Sequence, residues 1–303
     1  MQNVKVILWG LGAMGGGIGK MLAKKTGVDI VGAIDIGDKI GKSLYDVVPG
    51  IVKGDREDVI VGTPEDVIKP GVADIVVVCT NSFTKDVFDK LVFVMERGMN
   101  VITSAEEMAY PQAQEPELAK KLDEIAKKNG VSVMGTGINP GLIMDLLVVL
   151  WTAACEEVNH VTSRRVNSLS PFGPAVMEEQ GIGISVEEFN RRKADGTMAG
   201  HVGFAESTMM ICDALGWKWE DFGQDMEPIV TDVDRKSPYG FAAAGQVAGV
   251  AMKGWVNIDG ERKIDMDHPQ QIEPEQVGVH TGDYVILDAV PPVNMVNTPE
   301  IEG

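Results

Sequence analysis

The first 140 residues alternate between two kinds of apolar pattern. VKVILWG, VDIVGAID, DVIVG, DIVVVCT, NVITSA and VSVMGTG are short runs rich in Val and Ile, as expected of strands buried on both faces. Between them, GKMLAKKTG, TKDVFDKLVFVMERG and EPELAKKLDEIAKKNG place apolar residues at helical spacing and end on a Gly suited to a C-cap. Six strands in βα alternation predict an α/β fold with a parallel, doubly wound sheet. After about Gly141 the pattern changes. LIMDLLVVLWTAACEE reads as a buried helix, and longer strands, two helical stretches and a hairpin turning at Asp259-Gly260 follow it. The expected organisation is a first domain over 1–140 and an α+β second domain over 141–303, joined by a packed hinge. A cleft between two such domains is the natural place for a ligand.

Composition narrows the partners. The 303 residues carry 45 acidic and 27 basic side chains, and the net charge of −18 would repel phosphate backbones and anionic membranes. Neither nucleic acid nor membrane is an expected partner. Cys79, Cys155 and Cys212 are scattered, without CxxC spacing, so neither a disulfide framework nor a metal site is expected. With no export leader and no bilayer-length apolar run, a cytoplasmic location fits.

The sharpest chemistry lies in WGLGAMGGGIGK, six glycines in twelve residues directly after the first strand. Gly10, Gly12 and Gly15 form G-x-G-x-x-G at the opening of a helix, and the second strand ends at Asp35, twenty residues beyond Gly15. This is the arrangement of a Rossmann-type dinucleotide site. Gly10 permits the tight turn, Gly12 lets backbone N–H groups approach a pyrophosphate, and Gly15 packs helix on strand. The whole loop, Gly10-Leu11-Gly12-Ala13-Met14-Gly15, is expected to line the ligand, with Asp35 on a ribose hydroxyl. Close packing would suit Gly16, Gly17 and Gly19. Two triphosphate-loop look-alikes fail: GGGIGK has Met14 where a glycine is needed, and GDKIGKS is one residue short.

In open α/β sheets ligands sit beyond the carboxyl ends of strands. Thr80-Asn81-Ser82 after the fourth strand and Asn139-Pro140 after the sixth are therefore candidate nicotinamide-side contacts, although turn chemistry explains these residue types equally well. SAEEMAYP, after the fifth strand, holds two acids. Ser104 and Glu107 match a capping box, so catalysis and capping are equally open for Glu107, and Glu106 reads as solvated.

WGLGAMG, SAEEMAYP, GTGINPG, RRVNSLSPFGP, HPQQIEP and TGDY together resemble the 2,4-diaminopentanoate dehydrogenase family, to which native amine dehydrogenases are related, and more remotely dihydrodipicolinate reductase. The resemblance covers nearly the whole chain. It implies NAD(P)-dependent oxidative deamination of 2,4-diaminopentanoate to 2-amino-4-oxopentanoate and ammonia, or the reverse reductive amination. It also implies that Glu107 is the general acid/base. In RRVNSL, strand alternation puts Arg165 and Asn167 on one face and Arg164 on the other. Arg165 would then hold the substrate carboxylate and Asn167 an amine or polar edge, with His268 a cleft histidine and Phe172 the wall of a small apolar pocket. Asp35 would favour NAD, while Lys39 and Lys42 would let NADP be tolerated. The second domain would bind substrate and pair two copies of the chain as a homodimer. Family members usually continue past the NTPE stretch with a segment returning to the cofactor domain, whereas this sequence stops at Gly303. An imine or enamine reductase independent of ammonia, and a dinucleotide-sensing regulator, are the alternative readings.

Overall fold

A computed structural model describes residues 3–198 and 200–301. The chain divides into two compact units, the first ending at Gly137 and the second beginning at Ile138.

The first unit runs β1 (Val4–Trp9), α1 (Ala13–Ala23), β2 (Val28–Ile34), α2 (Leu44–Val47), β3 (Val61–Gly62), α3 (Pro64–Val67), β4 (Ile75–Val78), α4 (Thr84–Met95), β5 (Asn100–Thr103), α5 (Pro116–Asn129) and β6 (Val133–Gly135). All six strands are parallel, in the order β3-β2-β1-β4-β5-β6. This is a Rossmann-type sheet whose order reverses between β1 and β4, the switch point at which such folds bind ligands. Ile7, Val76 and Val78 are fully buried in the central strands. Val87, Leu91 and Val94 close one face from α4, whereas Leu44 and Val48 close the other.

The second unit runs α6 (Leu146–Thr152), β7 (Glu157–Ser168), α7 (Pro174–Glu179), α8 (Val186–Ala194), α9 (Phe204–Leu215), β8 (Phe222–Val230), β9 (Arg235–Lys236), β10 (Phe241–Ala242), β11 (Val247–Ile258), β12 (Glu261–Gln271), β13 (Gly282–Val290) and β14 (Val293–Asn297). Six of these strands form a mixed sheet, β14-β13-β7-β12-β11-β8, in which only β7 and β12 run parallel. Ile143, Val148, Phe189, Phe204 and Ile211 pack on Val161, Val250, Ile264 and Val285 to make its core. The hairpin is found as expected, with Asp259 and Gly260 both at positive φ, 51° and 78°.

Two expectations for this unit need correction. The segment read as one long buried helix is helical only from Leu146, because the buried Asp145 carboxylate takes the N–H groups of Gly141 (2.7 Å) and Leu146 (2.6 Å) and forces a cap there. Nor is the helix buried all round, since Leu150 is 59% exposed. Three helices, α7, α8 and α9, stand where two stretches were expected. Here α7 is short and begins on Pro174.

Candidate active site

The glycine loop is built as its spacing requires. Gly10 has φ +95°, and a Cβ there would run into the carbonyl oxygen of Cys79. At Gly15 a Cβ would strike the carbonyl oxygen of Gly10, so helix and strand meet through bare backbone. At Gly12, by contrast, a Cβ would meet nothing within 4 Å. The first turn of α1 has no side-chain cap and no acid, so no side chain competes there with a bound anion. A dinucleotide pyrophosphate fits that cradle. Gly16 and Gly19 are explained by packing, since added Cβ atoms would lie 3.3 Å from Val48 Cγ1 and 2.9 Å from Leu8 Cδ1. Nothing in the structure explains Gly17.

Asp35 follows β2 and is drawn into the loop itself. Its Oδ2 accepts from the Leu11 N–H at 2.7 Å and from Lys39 Nζ at 2.8 Å, and its Oδ1 accepts from the Ile36 N–H at 2.7 Å. Burial works to raise its pKa, but the Lys39 ammonium and the two N–H donors prevail and hold it below the usual carboxylate value. Lys42 is turned to Asp38 at 3.1 Å, leaving Lys39 as the lysine paired with Asp35.

Beyond β4, Thr80 and Asn81 are held by Lys90, whose Nζ lies 2.9 Å from Thr80 Oγ1 and 2.6 Å from Asn81 Oδ1. The Ser82 carbonyl accepts the Glu107 N–H at 3.1 Å. Glu107 is buried, in a 3-10 turn over Glu106–Ala109. The capping box is not formed: the cap of this turn is Ala105, without a side-chain bond. The Glu107 carboxylate reaches instead across to another helix, where Oε2 accepts the Thr84 N–H at the start of α4, 2.7 Å away. The sheet brings the end of β5 beside the end of β4, and that sets up this contact. Glu106 lies beside it in the same turn and is only partly buried.

Asn139 and Pro140 fall in the second unit, in the turns before α6. Pro140 packs on the start of α9, where a Cβ on Gly203 would lie 2.6 Å from its ring. Asn139 donates to Met144 Sδ at 3.4 Å, and its Oδ1 is buried without a partner among the described residues, an acceptor left for a ligand N–H.

On β7, alternation holds as expected, with Arg165 and Asn167 buried and Arg164 exposed and paired to Asp267 at 3.0 Å. Arg165 is not a free fork. Its Nη1 donates to the fully buried Asp283 at 2.8 Å and its Nη2 to the Ile301 carbonyl at 2.7 Å. Its own carbonyl oxygen lies 2.9 Å from His268 Nδ1, which must therefore carry the proton. Burial pushes the His268 imidazole down to about 4, opposed by that hydrogen bond and reinforced by the Arg165 charge, so the ring is neutral near pH 7 and Nε2 is an acceptor. Asn167 donates weakly to Gln270 at 3.5 Å and keeps a buried Oδ1 without a partner among the described residues. Phe172 is 38% exposed, beyond the end of β7.

Sequence reading did not find His201. Its ring stands edge-on to His268 at 5.0 Å and to Phe204 at 4.7 Å, and its Nε2 is buried without a partner among the described residues. Burial, His268 and Arg165 all push it well below the ordinary imidazole value. His201 lies in a loop with no strand or helix period to orient it, so no local signal marks it. Lys90 in α4 and Asp283 in β13 were not found either: Asp283 takes its role from Arg165, 118 residues away, and Lys90 from the Thr80 and Asn81 side chains in the loop before its helix.

A family model for the C-terminal domain of 2,4-diaminopentanoate dehydrogenase matches residues 142–303. A curated 2,4-diaminopentanoate dehydrogenase from Acetoanaerobium sticklandii is 67% identical over 304 residues, spanning 100% of this chain and 86% of that protein. Among solved structures, an amine dehydrogenase from Mycobacterium smegmatis superposes with a TM-score of 0.78 at 24% identity, covering 98% of this chain and 87% of its own. A scyllo-inositol dehydrogenase from Lactobacillus casei, solved with NAD(H), superposes at 0.55 with 12% identity, covering 98% and 76%. These two likenesses bear on the fold. The sequence match is of another order, and the chain belongs to the 2,4-diaminopentanoate dehydrogenase family.

Proposed function

We propose that the chain catalyses the NAD(P)-dependent oxidative deamination of 2,4-diaminopentanoate at carbon 4, giving 2-amino-4-oxopentanoate, ammonia and the reduced cofactor, and the reverse reductive amination. The observation that carries this reading is the 67% identity, across the whole chain, to a curated enzyme of that name. The dinucleotide, when bound, supplies the hydride acceptor. Leu11, Ala13 and Met14, with the bare backbone of Gly10, Gly12 and Gly15, would hold its pyrophosphate, and Asp35 its ribose. Because Asp35 stays ionised and Lys39 offsets its charge at 2.8 Å, NAD is preferred and NADP accepted.

Glu107 moves the protons: in the deaminating direction it takes one from the substrate ammonium and releases it to solvent, then takes one from the attacking water and hands it to the departing ammonia. One of its oxygens is fixed by the Thr84 N–H, and among the described residues the other has no hydrogen-bond partner. In the second unit, the neutral His268 presents an acceptor suited to an ammonium or hydroxyl, and Asn167 contributes a second buried acceptor. For Arg165 to hold the substrate carboxylate, Nη2 would exchange the Ile301 carbonyl for it while Nη1 keeps Asp283. Phe172 would cover the apolar end of the substrate. The enzyme works in the cytoplasm, as a homodimer. In support of the first point, its three cysteines are unpaired.

The test is NADH consumption with 2-amino-4-oxopentanoate and simple ketones, with and without ammonium. Consumption that depends on ammonium is expected. Reduction at the same rate without ammonium would overturn this reading, because a ketone reduced without ammonia gives an alcohol and not an amine.

A further inference from the structure

The loop joining β4 to α4 is held at three points. Lys90 binds Thr80 and Asn81, the Glu107 N–H binds the Ser82 carbonyl, and the Thr84 N–H binds Glu107 Oε2. The candidate proton-transfer group and the candidate cofactor loop are thus one hydrogen-bonded unit. A helix start is ordinarily capped by Ser, Thr, Asp or Asn immediately before it. Here Phe83 stands in that place without a side-chain bond, and a carboxylate arrives from the turn after β5. Thr84 itself is fully buried, and its hydroxyl has no partner among the described residues, so the backbone N–H alone links it to Glu107.

We infer that Thr84 is the positioning residue for Glu107, its N–H fixing Oε2 and leaving Oε1 to exchange protons with substrate. This rests on the reading of Glu107 as the acid/base. A carboxylate on a flexible side chain must be held to about 0.5 Å to be effective, and a donor on the rigid first turn of a helix does this without a rotamer of its own. The helix dipole adds to the attraction.

The N–H can be deleted selectively. Thr84 is the first residue of α4, where proline is tolerated because the helix does not use that N–H. Phe83 already lies at φ −103°, ψ 141°, the region favoured before proline. Thr84→Pro should lower kcat for deamination about tenfold or more, the scale of one hydrogen bond to a charged group. The Kd for NADH, read by fluorescence, should stay within about twofold, and added to Glu107→Gln the change should cost nothing further, since coupled residues are not additive. Wild-type kcat in Thr84→Pro would overturn the inference. So would an equal loss in the Glu107→Gln background, which would make the role purely structural. Wild-type turnover in Glu107→Gln alone would instead remove the acid/base reading itself, and the positioning role with it. Should the proline variant fail to fold, the α-hydroxy acid analogue of Thr84, an ester lacking the same N–H, should give the same result.

Discussion

Arg165 and Asp283 meet at 2.8 Å on adjacent strands, the carboxylate fully buried and the guanidinium nearly so. Asp283 also accepts the Ile301 N–H at 2.8 Å, so the pair ties β7 and β13 to the end of the described chain. Arg165 therefore has a structural duty besides any substrate duty, and a substitution there must be read on both scales.

Breaking a buried ion pair from one side costs about 3–5 kcal/mol, because the other charge is left behind. Arg165→Met should accordingly lower the melting temperature by roughly 6–20 °C, at about 2–4 °C per kcal/mol for a unit of this size. Arg165→Met with Asp283→Asn should recover most of that loss. If Arg165 also holds the substrate carboxylate, the stabilised double variant should still turn over 2,4-diaminopentanoate about 10–100-fold more slowly, with a smaller loss on an amine lacking the carboxylate. Equal losses on both substrates would confine Arg165 to its structural role.

His268 makes the second unit sensitive to acid. Its folded pKa, about 4, is below the unfolded value of about 6.5, so between these limits the unfolded chain binds a proton that the folded chain refuses. Its contribution is fully present above pH 6.5 and is lost as the pH falls toward 4, at about 1.4 kcal/mol per pH unit. His201 is pushed in the same direction. Urea unfolding at pH 7, 6 and 5 should show stability falling with pH, and His268→Asn, which keeps an N–H for the Arg165 carbonyl, should flatten that slope. Identical slopes in the two proteins would mean that His268 is not held neutral.

Asp35 allows a test of cofactor choice. In Asp35→Ser the Leu11 N–H keeps an acceptor of reduced strength and Lys39 loses its partner at 2.8 Å, freeing a cation beside the ribose. The ratio of kcat/KM for NAD over NADP, read from initial rates, should fall by about tenfold or more; unchanged constants for both cofactors would show that Asp35 does not meet the ribose.

What could be read in advance was whatever depended on near neighbours in sequence. Gly10, Gly15 and Asp35 belong to one βαβ unit, so their spacing carried the loop geometry, and the Val- and Ile-rich runs carried the parallel sheet. Alternation within RRVNSL separated Arg164 from Arg165 correctly. The reading stopped where partners lie far apart. Ser104 and Glu107 looked like a local box, but Glu107 is claimed by Thr84, 23 residues away. Arg165 looked like a free fork until Asp283, 118 residues on, was placed beside it. Asp145 was hidden inside an apolar run, and only its three hydrogen bonds, including one from Ser207 at 2.9 Å, explain why it ends the turns before α6.

Glu107 separates structural capping from catalysis in a single substitution. Its carboxylate caps α4 through the Thr84 N–H, and glutamine, with a carbonyl oxygen at the same reach, can accept that bond too. Glu107→Gln should therefore leave the melting temperature and NADH binding close to wild type. An amide takes up no proton near neutral pH, so turnover should nevertheless fall about 10²–10⁴-fold, the usual contribution of a positioned acid/base. Glu107→Ala, which removes both duties, should lose stability in addition to activity, and the difference between the two variants isolates the cap. Near-wild-type turnover in Glu107→Gln would leave Glu107 as the cap of α4 and turn the search for the proton-transfer group to Glu106 and His268.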